Sequence, residues 1–298
     1  MIGTLVKAAK GSSYKFESYT RGITMKSVCD VCFHHCSIQP GQWGVCRARK
    51  NEEGSIICKN YGRISSLALD PIEKKPLKRF YPKSMILSVG SFGCNLRCPF
   101  CQNHEISMIR PEVGSFYLSP QELTQKALNY KKVGNIGVAF TYNEPLVGWE
   151  YVLDTAKLVQ QAGMKNVVVT NGTISPVILE KILPFIDAMN IDLKGFRDEI
   201  YQKFSGNLEA VKTFIMQAAS TCHIELTTLI VPGENDELYD MEEQSRWIAS
   251  IDKNIPLHIT RFFPQYHMLD KDATDVEQIH RLAQIARTYL NYVFVGNC

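Results

Sequence analysis

Three cysteines with the spacing C-x3-C-x2-C stand close together in the first half of the chain. Cys94, Cys98 and Cys101 can supply three thiolates from one short loop, which is enough to hold three irons of a [4Fe–4S] cluster. A cluster built only for electron transfer normally has four cysteine ligands, so this arrangement leaves one iron open to a small chelating molecule. The alternatives are a zinc knuckle and a disulfide loop, but structural zinc commonly takes four ligands from two separated cysteine pairs. The spacing therefore favours a cluster with an open iron.

A second group of cysteines precedes this loop. Cys29, Cys32, Cys36 and Cys46 supply four soft ligands from a short, turn-rich stretch. Four thiolates can close a tetrahedral zinc site, which would fix a small lobe against the rest of the protein, or hold a complete iron–sulfur cluster, which could relay electrons. Unligated buried cysteines are the third interpretation. The sequence predicts a second metal site here without choosing the metal.

The composition is that of a globular protein with little net charge. The chain has 298 residues, of which 45% are hydrophobic and 21% charged, and this suits one large α/β barrel or two ordinary domains. A net charge of +3 is too small to predict binding to nucleic acid or to a membrane surface. No apolar run reaches the roughly 18 residues of a spanning helix, and residues 1–20 lack a signal-peptide core. Cysteines at ligand-like spacings fit a reducing compartment, so we expect a cytoplasmic protein.

From Met85 onward, short β-like runs alternate with helical segments. This alternation predicts parallel strands joined by right-handed crossovers, and six strand–helix units predict an incomplete (β/α)6 TIM-like barrel. The predicted barrel occupies residues 81–298, after a small Cys-rich N-terminal lobe and linker at residues 1–80. The predicted strands are 85–89, 136–141, 166–170, 188–192, 223–231 and 257–261, with 292–295 as a seventh candidate, and the predicted helices are 119–132, 149–162, 175–183, 208–220, 237–251 and 275–290.

The cysteine loop directly follows the first predicted strand. It therefore lies at the C-terminal mouth of the predicted barrel, where barrel enzymes have their active sites. Polar segments at residues 141–145, 170–172 and 192–195 follow the next three strands at the same end. The charged segment 70–76 is most simply a solvated linker, although its lysines could meet an acidic redox partner such as flavodoxin.

The cysteine loop resembles the signature of the radical SAM superfamily, C-x3-C-x-aromatic-C, with Phe100 at the aromatic position. The resemblance implies that S-adenosylmethionine chelates the open iron through its amino and carboxylate groups. It also implies that the reduced cluster passes an electron to the sulfonium, that the S–C5′ bond breaks, and that a 5′-deoxyadenosyl radical takes a hydrogen atom from the substrate. Over residues 85–295 the chain is most similar to pyruvate formate-lyase-activating-enzyme-like members.

Within that group the chain resembles the AmmeMemoRadiSam-system radical SAM enzymes from about Val28 to the end. Five segments carry this likeness, and they are CDVCFHHC at 29–36, DPIEKKP at 70–76, TYNEP at 141–145, AMNIDLK at 188–194 and VGN at 295–297.

The resemblance also implies residues that surround the cofactor. Glu144 matches the acid of a Gly-Gly-Glu-Pro-like stretch that meets the methionine ammonium, although Tyr142 and Asn143 replace its glycines. Thr170 and Asn171 match a Thr-Asn-Gly motif of the activases that could meet the ribose or the carboxylate. The structural alternatives are a helix N-terminal acid for Glu144 and ordinary turn chemistry for the Asn-Gly pair.

Two further matches follow the fourth strand and open the sixth. Asp192 and Lys194 match an Asp-Leu-Lys motif whose lysine pairs with the cofactor carboxylate, and His258 matches a histidine near the adenosine. A simple salt bridge at the barrel rim and a structural histidine are the alternatives.

The sequence thus predicts a radical SAM oxidoreductase, and the likeness to activases implies hydrogen abstraction from a glycine of a partner protein. The implied partners are a reductant such as flavodoxin or ferredoxin and a protein substrate, with neither nucleic acid nor membrane. Radical modification of a small molecule or of another protein residue is a second hypothesis, since the substrate must be argued from the site. A non-catalytic electron-transfer or zinc-binding module is a third, and cleavage of S-adenosylmethionine separates it from the other two.

Overall fold

The computed structural model describes residues 26–108 and 114–298. The strands are β1 (Ser27–Val28), β2 (Ser37–Ile38), β3 (Arg49–Glu52), β4 (Ser55–Cys58), β5 (Arg63–Ile64), β6 (Ser66–Pro71), β7 (Met85–Gly90), β8 (Phe116–Tyr117), β9 (Asn135–Phe140), β10 (Lys165–Thr170), β11 (Ala188–Asp192), β12 (His223–Ile230), β13 (Leu257–Arg261) and β14 (Val293–Gly296). The α-helices are α1 (His104–Ser107), α2 (Pro120–Asn129), α3 (Trp149–Gln161), α4 (Pro176–Ile182), α5 (Asp198–Lys203), α6 (Leu208–Ala219), α7 (Leu238–Asp252) and α8 (Val276–Arg287).

A curved sheet with the strand order β14-β13-β12-β11-β10-β9-β7-β6 forms the body of the protein. Neighbours from β7 to β14 run parallel, and only the pairing of β6 with β7 is antiparallel. Helices connect successive parallel strands, as right-handed crossovers require. The incomplete (β/α)6 barrel predicted from the sequence is confirmed, with each parallel strand placed within one residue of its predicted ends.

Helix α2 begins where a local signal predicts it. Ser119 caps α2 by accepting a hydrogen bond from the backbone of Glu122, whose carboxylate returns one to the backbone of Ser119, and Pro120 occupies the first turn. This reciprocal pair satisfies two of the donors that a helix start leaves unpaired. Several elements escaped prediction, namely the strands β1 to β6 and β8 and the short helices α1 and α5.

A small cluster of apolar side chains lies on one face of the sheet. Residues 72–80 supply three of them, which pack against single residues of β7, β9, β10 and β11, while the alternate residues of those strands face the helices. The members are Ile72, Leu77, Phe80, Ile86, Ala139, Val167 and Ala188. The segment before β7 therefore covers part of this face of the sheet.

The prediction that segment 70–76 is a solvated linker is wrong for two of its charged residues. The Lys75 side chain is only 4% exposed, and its Nζ lies 2.9 Å from Oδ2 of Asp70. The same oxygen accepts a hydrogen bond from the Tyr142 hydroxyl at 2.8 Å. Lys74, with 68% of its side chain exposed, is the lysine that remains available to solvent. The buried pair is satisfied because both charged groups have partners.

The N-terminal lobe consists of the hairpins β1–β2 and β3–β4 and packs on the starts of α3 and α4. The backbone N–H of Ser175 donates to the carbonyl of Val31 at 3.0 Å. Arg49 donates to both carboxylate oxygens of Glu150 at 2.6 Å and to the carbonyl of Val147 at 2.7 Å. The division at residue 80 stays a prediction, although β6 already belongs to the main sheet.

Arg49→Ala is expected to lower the free energy of unfolding by about 3 kcal/mol, because Glu150 and the Val147 carbonyl lose a buried partner. Urea unfolding followed by far-ultraviolet circular dichroism measures the change. Arg246→Ala is the matched control, since Arg246 pairs with Glu242 at 2.8 Å but has 59% of its side chain exposed, against 3% for Arg49. Its loss should stay below about 0.5 kcal/mol. Equal losses in the two variants would contradict the role given to Arg49.

Candidate active site

The cysteine loop follows β7 at the carboxyl end of the parallel strands. The Gly93 N–H donates to the carbonyl of Ile106 at 3.1 Å, and the Cys101 N–H donates to the carbonyl of Cys98 at 3.2 Å, so the loop is compact. Gly93 has a φ of 90°, and a side chain there would come within 2.6 Å of the Cys46 carbonyl oxygen. Only glycine meets both conditions.

Two N–H groups point at the sulfur of the first cysteine of the loop. The Leu96 N–H lies 3.4 Å and the Asn171 Nδ2 3.7 Å from Cys94 Sγ. Burial, together with the Glu144 carboxylate and the Cys98 thiol, raises the pKa of Cys94 well above its ordinary value. Burial also raises the pKa of Cys98 to about 11. Buried thiols of this kind ionise readily only when cations are bound to them.

The residues predicted after β11 lie beside the cysteine loop. Lys194 Nζ is 2.7 Å from Asp192 Oδ2 and 6.0 Å from the centre of the Phe100 ring. Burial acts to lower the pKa of Lys194, but the Asp192 carboxylate and the Cys98 thiol outweigh it and raise that pKa above its usual range. The backbone N–H of Lys194 donates to the Tyr201 hydroxyl at 3.0 Å, which fixes the start of the turn. The structure thus brings a charged lysine, an acid and the aromatic residue of the motif to one place.

The residues predicted after β9 and β10 also meet, but they bind one another. Glu144 is buried and accepts hydrogen bonds from the Leu146 N–H at 3.1 Å, the Thr170 hydroxyl at 2.8 Å and the Asn171 N–H at 2.7 Å. Burial raises the pKa of Glu144 to about 7. The carboxylate therefore ties the ends of two strands together, and its contact with the cofactor stays a prediction.

The two residues that replace the motif glycines have structural roles that the sequence did not reveal. Tyr142 has a φ of 72°, which is the left-handed conformation that glycine favours, and its ring lies against Gly90. The Asn143 side chain donates to the carbonyls of Phe92 and Gly93 at 3.2 and 3.0 Å and accepts from the Ser91 N–H. Asn143 therefore holds the start of the cysteine loop.

His258 is not placed on the cysteine loop. Its Nε2 lies 2.6 Å from Oε2 of Glu225, a buried acid that also accepts the backbone N–H groups of Lys78 and Arg79 at 2.9 and 2.7 Å. Burial acts to raise the pKa of Glu225, but its hydrogen bonds hold that pKa at about 2. His258 is thus engaged in the interior of the barrel with the segment before β7, and its predicted contact with adenosine stays a prediction.

The four N-terminal cysteines gather in the lobe. Cys29, Cys32 and Cys46 are buried and Cys36 is half-buried. The Cys29 N–H donates to the carbonyl of Cys36 at 2.9 Å. Burial raises the pKa of Cys32 to about 11, and the nearby Cys46 and Cys36 thiols add to the increase. That these four cysteines bind a metal stays a prediction.

Within residues 26–108 and 114–298, no three His, Cys, Asp or Glu side chains are arranged to hold a single metal ion. A multi-iron cluster is a different case, because its thiolates bind different irons. In the same described part of the chain, no helix has the length and apolar character needed to cross a bilayer.

The family model of the radical SAM superfamily matches residues 88–244, and the chain belongs to this superfamily. An uncharacterized protein of Methanocaldococcus jannaschii is 38% identical over 273 residues, which cover 90% of this chain and 80% of that protein. The pyruvate formate-lyase-activating enzyme of Clostridium pasteurianum is 29% identical over 168 residues, which cover 55% of this chain and 67% of that enzyme. The chain is therefore a radical SAM enzyme that is similar to pyruvate formate-lyase-activating enzymes.

The fold is also that of known members. The crystal structure of a radical SAM methyltransferase from Sphaerobacter thermophilus matches with a TM-score of 0.55 and 16% identity, over 72% of this chain and 67% of that one. The superfamily uses a [4Fe–4S] cluster and S-adenosylmethionine, and these are the cofactors of this enzyme. The residues present fit the cluster, because one loop offers three soft thiols, and the Leu96 N–H of that loop and the Asn171 amide after β10 are directed at Cys94 Sγ.

Proposed function

We propose that this enzyme removes a hydrogen atom from a glycine of a partner protein after reductive cleavage of S-adenosylmethionine. The observation that carries the proposal is the position of Lys194, which pairs with Asp192 at 2.7 Å directly beside Phe100 and Cys98. The Asp-Leu-Lys motif of the activases has its lysine on the cofactor carboxylate. The same three residues here stand at the carboxyl end of β11, next to the cluster loop.

Cys94, Cys98 and Cys101 hold the cluster in this proposal, and the bound cluster supplies the electron that cleaves S-adenosylmethionine. Lys194 stays protonated because its pKa is raised, so it offers a permanent positive charge to the carboxylate of the methionine moiety. Asp192 accepts a hydrogen bond from the Lys194 ammonium group and so orients it. In a site shielded from water such a contact is stronger than at the surface.

Two loops position and cover the cysteine loop. The Asn171 side-chain amide points at Cys94 Sγ, and the Asn171 backbone N–H donates to the Glu144 carboxylate. Glu144 therefore holds Asn171 in the position from which its amide reaches the cysteine. The segment after β13 reaches over the loop, since the His267 N–H donates to the carbonyl of Pro99 at 2.9 Å. These contacts restrict access of water to the reacting groups.

The partners follow from the same proposal. A one-electron reductant of the flavodoxin or ferredoxin class supplies the electron, and a protein with an exposed glycine supplies the hydrogen atom. Both belong in a reducing cytoplasm, where cysteine thiols stay reduced.

Anaerobic turnover tests the proposal. The protein is reconstituted with iron and sulfide, reduced and mixed with S-adenosylmethionine, and 5′-deoxyadenosine is measured together with the EPR spectrum of the cluster with and without the cofactor. Product and a cofactor-dependent spectral change are expected. A cluster that neither responds to the cofactor nor cleaves it would overturn the assignment.

The glycine is tested separately. A glycyl-radical-type partner deuterated at glycine should transfer deuterium to 5′-deoxyadenosine and acquire a carbon-centred EPR doublet. Product without deuterium, together with modification of a small molecule, would replace the activase-like proposal by the second enzyme hypothesis.

A further inference from the structure

The two groups of cysteines are in direct contact through their backbones. Gly93, which precedes Cys94, packs so closely on the N-terminal lobe that an added Cβ would lie 2.6 Å from the Cys46 carbonyl oxygen and 3.1 Å from the Ala48 Cβ. Arg47, between those two residues, is close enough to Cys94 for the thiol to influence its pKa. The residue that follows Cys46 thus lies beside the cluster loop.

Asn95 forms a second connection between the two groups. His34, which lies between Cys32 and Cys36 in the sequence, places its Nε2 2.8 Å from the carbonyl oxygen of this buried residue, and the Asn95 side chain donates to the Thr173 hydroxyl at 2.7 Å. The Asn171 amide donates both to Asn95 Oδ1 at 2.9 Å and to Cys94 Sγ at 3.7 Å. Contacts therefore lead from His34 of the N-terminal lobe through Asn95 and Asn171 to a thiol of the cluster loop.

The N-terminal cysteines have the spacing and setting of cluster ligands. Cys29, Cys32 and Cys36 form C-x2-C-x3-C, which has the two intervals of the cluster loop in reverse order, and Cys46 adds a fourth thiol. Four cysteine ligands are the complete set for a cluster that only transfers electrons. The Arg49 guanidinium, which pairs with Glu150, lies near the Cys29 and Cys46 thiols.

We propose that Cys29, Cys32, Cys36 and Cys46 bind a second [4Fe–4S] cluster that passes electrons to the cluster on the Cys94 loop. The inference rests on the proposed function for the destination of the electron. A reductant of the flavodoxin or ferredoxin class is oxidised by one electron as the second cluster is reduced, and the second cluster is reoxidised as the Cys94-loop cluster is reduced. One electron is consumed for each S-adenosylmethionine cleaved, and no proton is transferred between the clusters. A zinc ion at this site could not carry the electron, because zinc has no redox chemistry.

Metal and sulfide analysis of three reconstituted proteins tests the site. Wild type should hold about eight irons and eight sulfides per chain, and each of two variants about four. One variant is the triple substitution Cys94→Ala, Cys98→Ala, Cys101→Ala, which leaves the N-terminal lobe unchanged, and the other is Cys29→Ser with Cys36→Ser. About four irons and one zinc in wild type, with no iron in the triple variant, would overturn the proposal. The triple variant also guards against misfolding of the lobe, since it leaves all four N-terminal ligands in place.

The EPR spectra report whether the two clusters are neighbours. Reduced wild type should show broadened, fast-relaxing signals from magnetic coupling, whereas each variant should show the simple spectrum of one cluster. S-adenosylmethionine should change the spectrum of the Cys29→Ser, Cys36→Ser variant and leave that of the triple variant unchanged. Two uncoupled signals in wild type would contradict the direct contact inferred here.

Reduction kinetics test the relay. Reduced flavodoxin should reduce the Cys94-loop cluster of the Cys29→Ser, Cys36→Ser variant more than about tenfold more slowly than that of wild type. Cys58→Ala, which removes a half-buried thiol of the same lobe, should react at the wild-type rate. An equal rate in the double variant would overturn the relay. With dithionite as a small reductant the double variant should still cleave S-adenosylmethionine, and failure of wild type in that assay would instead contradict the proposed function.

Discussion

Cys98→Ala is expected to abolish cleavage of S-adenosylmethionine, with 5′-deoxyadenosine falling below detection. Cys98 is the buried member of the cysteine loop and lies next to Lys194, so its loss removes one of three iron ligands at the centre of the site. With two thiolates left, the loop can no longer hold three irons of the cluster. Product is measured by chromatography after anaerobic reconstitution, and the EPR response to S-adenosylmethionine is recorded on the same sample.

Cys222→Ala is the matched control for this variant. Cys222 is also a partly buried thiol with a raised pKa, but its Sγ contacts the carbonyl of Ala218 at 3.7 Å, at the end of α6. The control should keep wild-type turnover and iron content. Turnover of Cys98→Ala at the wild-type rate would remove the cluster from this loop.

The parallel strands were predictable because both of their faces are buried. Strands of this kind consist of nearly continuous apolar residues, as in Val167 and Val168 of β10, and turn residues mark their ends. The helix α5 lacks such signals, since Arg197 at its start makes no side-chain cap, and it is held instead by the burial of Ile200 and Tyr201. A short helix that depends on packing leaves no periodic pattern in the sequence.

The burial of charged groups was not predictable from local sequence. Lys75 looked like part of a solvated charge run, yet it lies inside the protein because Asp70 and the ring of Tyr142 surround it. Tyr142 comes from a segment far along the chain, and a one-dimensional pattern contains no such pairing. The same holds for His258 and its partner Glu225, which are 33 positions apart.

The candidate site divides in the same way. The three cysteines and Phe100 lie close together in the sequence, so their spacing alone was enough to predict them as site residues. Glu144 and Asn171 depend on how the ends of β9 and β10 meet, and the structure alone describes their hydrogen bond. The role of Asn143 was missed, and the signal that could have suggested it is an amide where the family motif has glycine.

Lys194→Ala is expected to weaken the binding of S-adenosylmethionine by about tenfold to a hundredfold while the iron content stays normal. The ammonium group is a fixed positive charge beside the cluster loop, and a charge-assisted hydrogen bond to the cofactor carboxylate is lost with it. Its removal also leaves Asp192 unpaired and facing the same carboxylate, which adds repulsion. A titration of the cofactor-dependent EPR change gives the dissociation constant, and iron analysis on the same preparation separates binding from cluster assembly.

Lys212→Ala provides a control of the same kind in a different place. Lys212 pairs with Glu209 at 2.8 Å and lies 5.5 Å from the ring of Phe196, which reproduces the acid and aromatic neighbours of Lys194 on helix α6. Its loss should leave cofactor affinity unchanged, because no cofactor group reaches that helix in the proposed site. If Lys194→Ala behaved like Lys212→Ala, Lys194 and Asp192 would be a salt bridge at the barrel rim, and the likeness of this loop to the activase motif would concern structure alone.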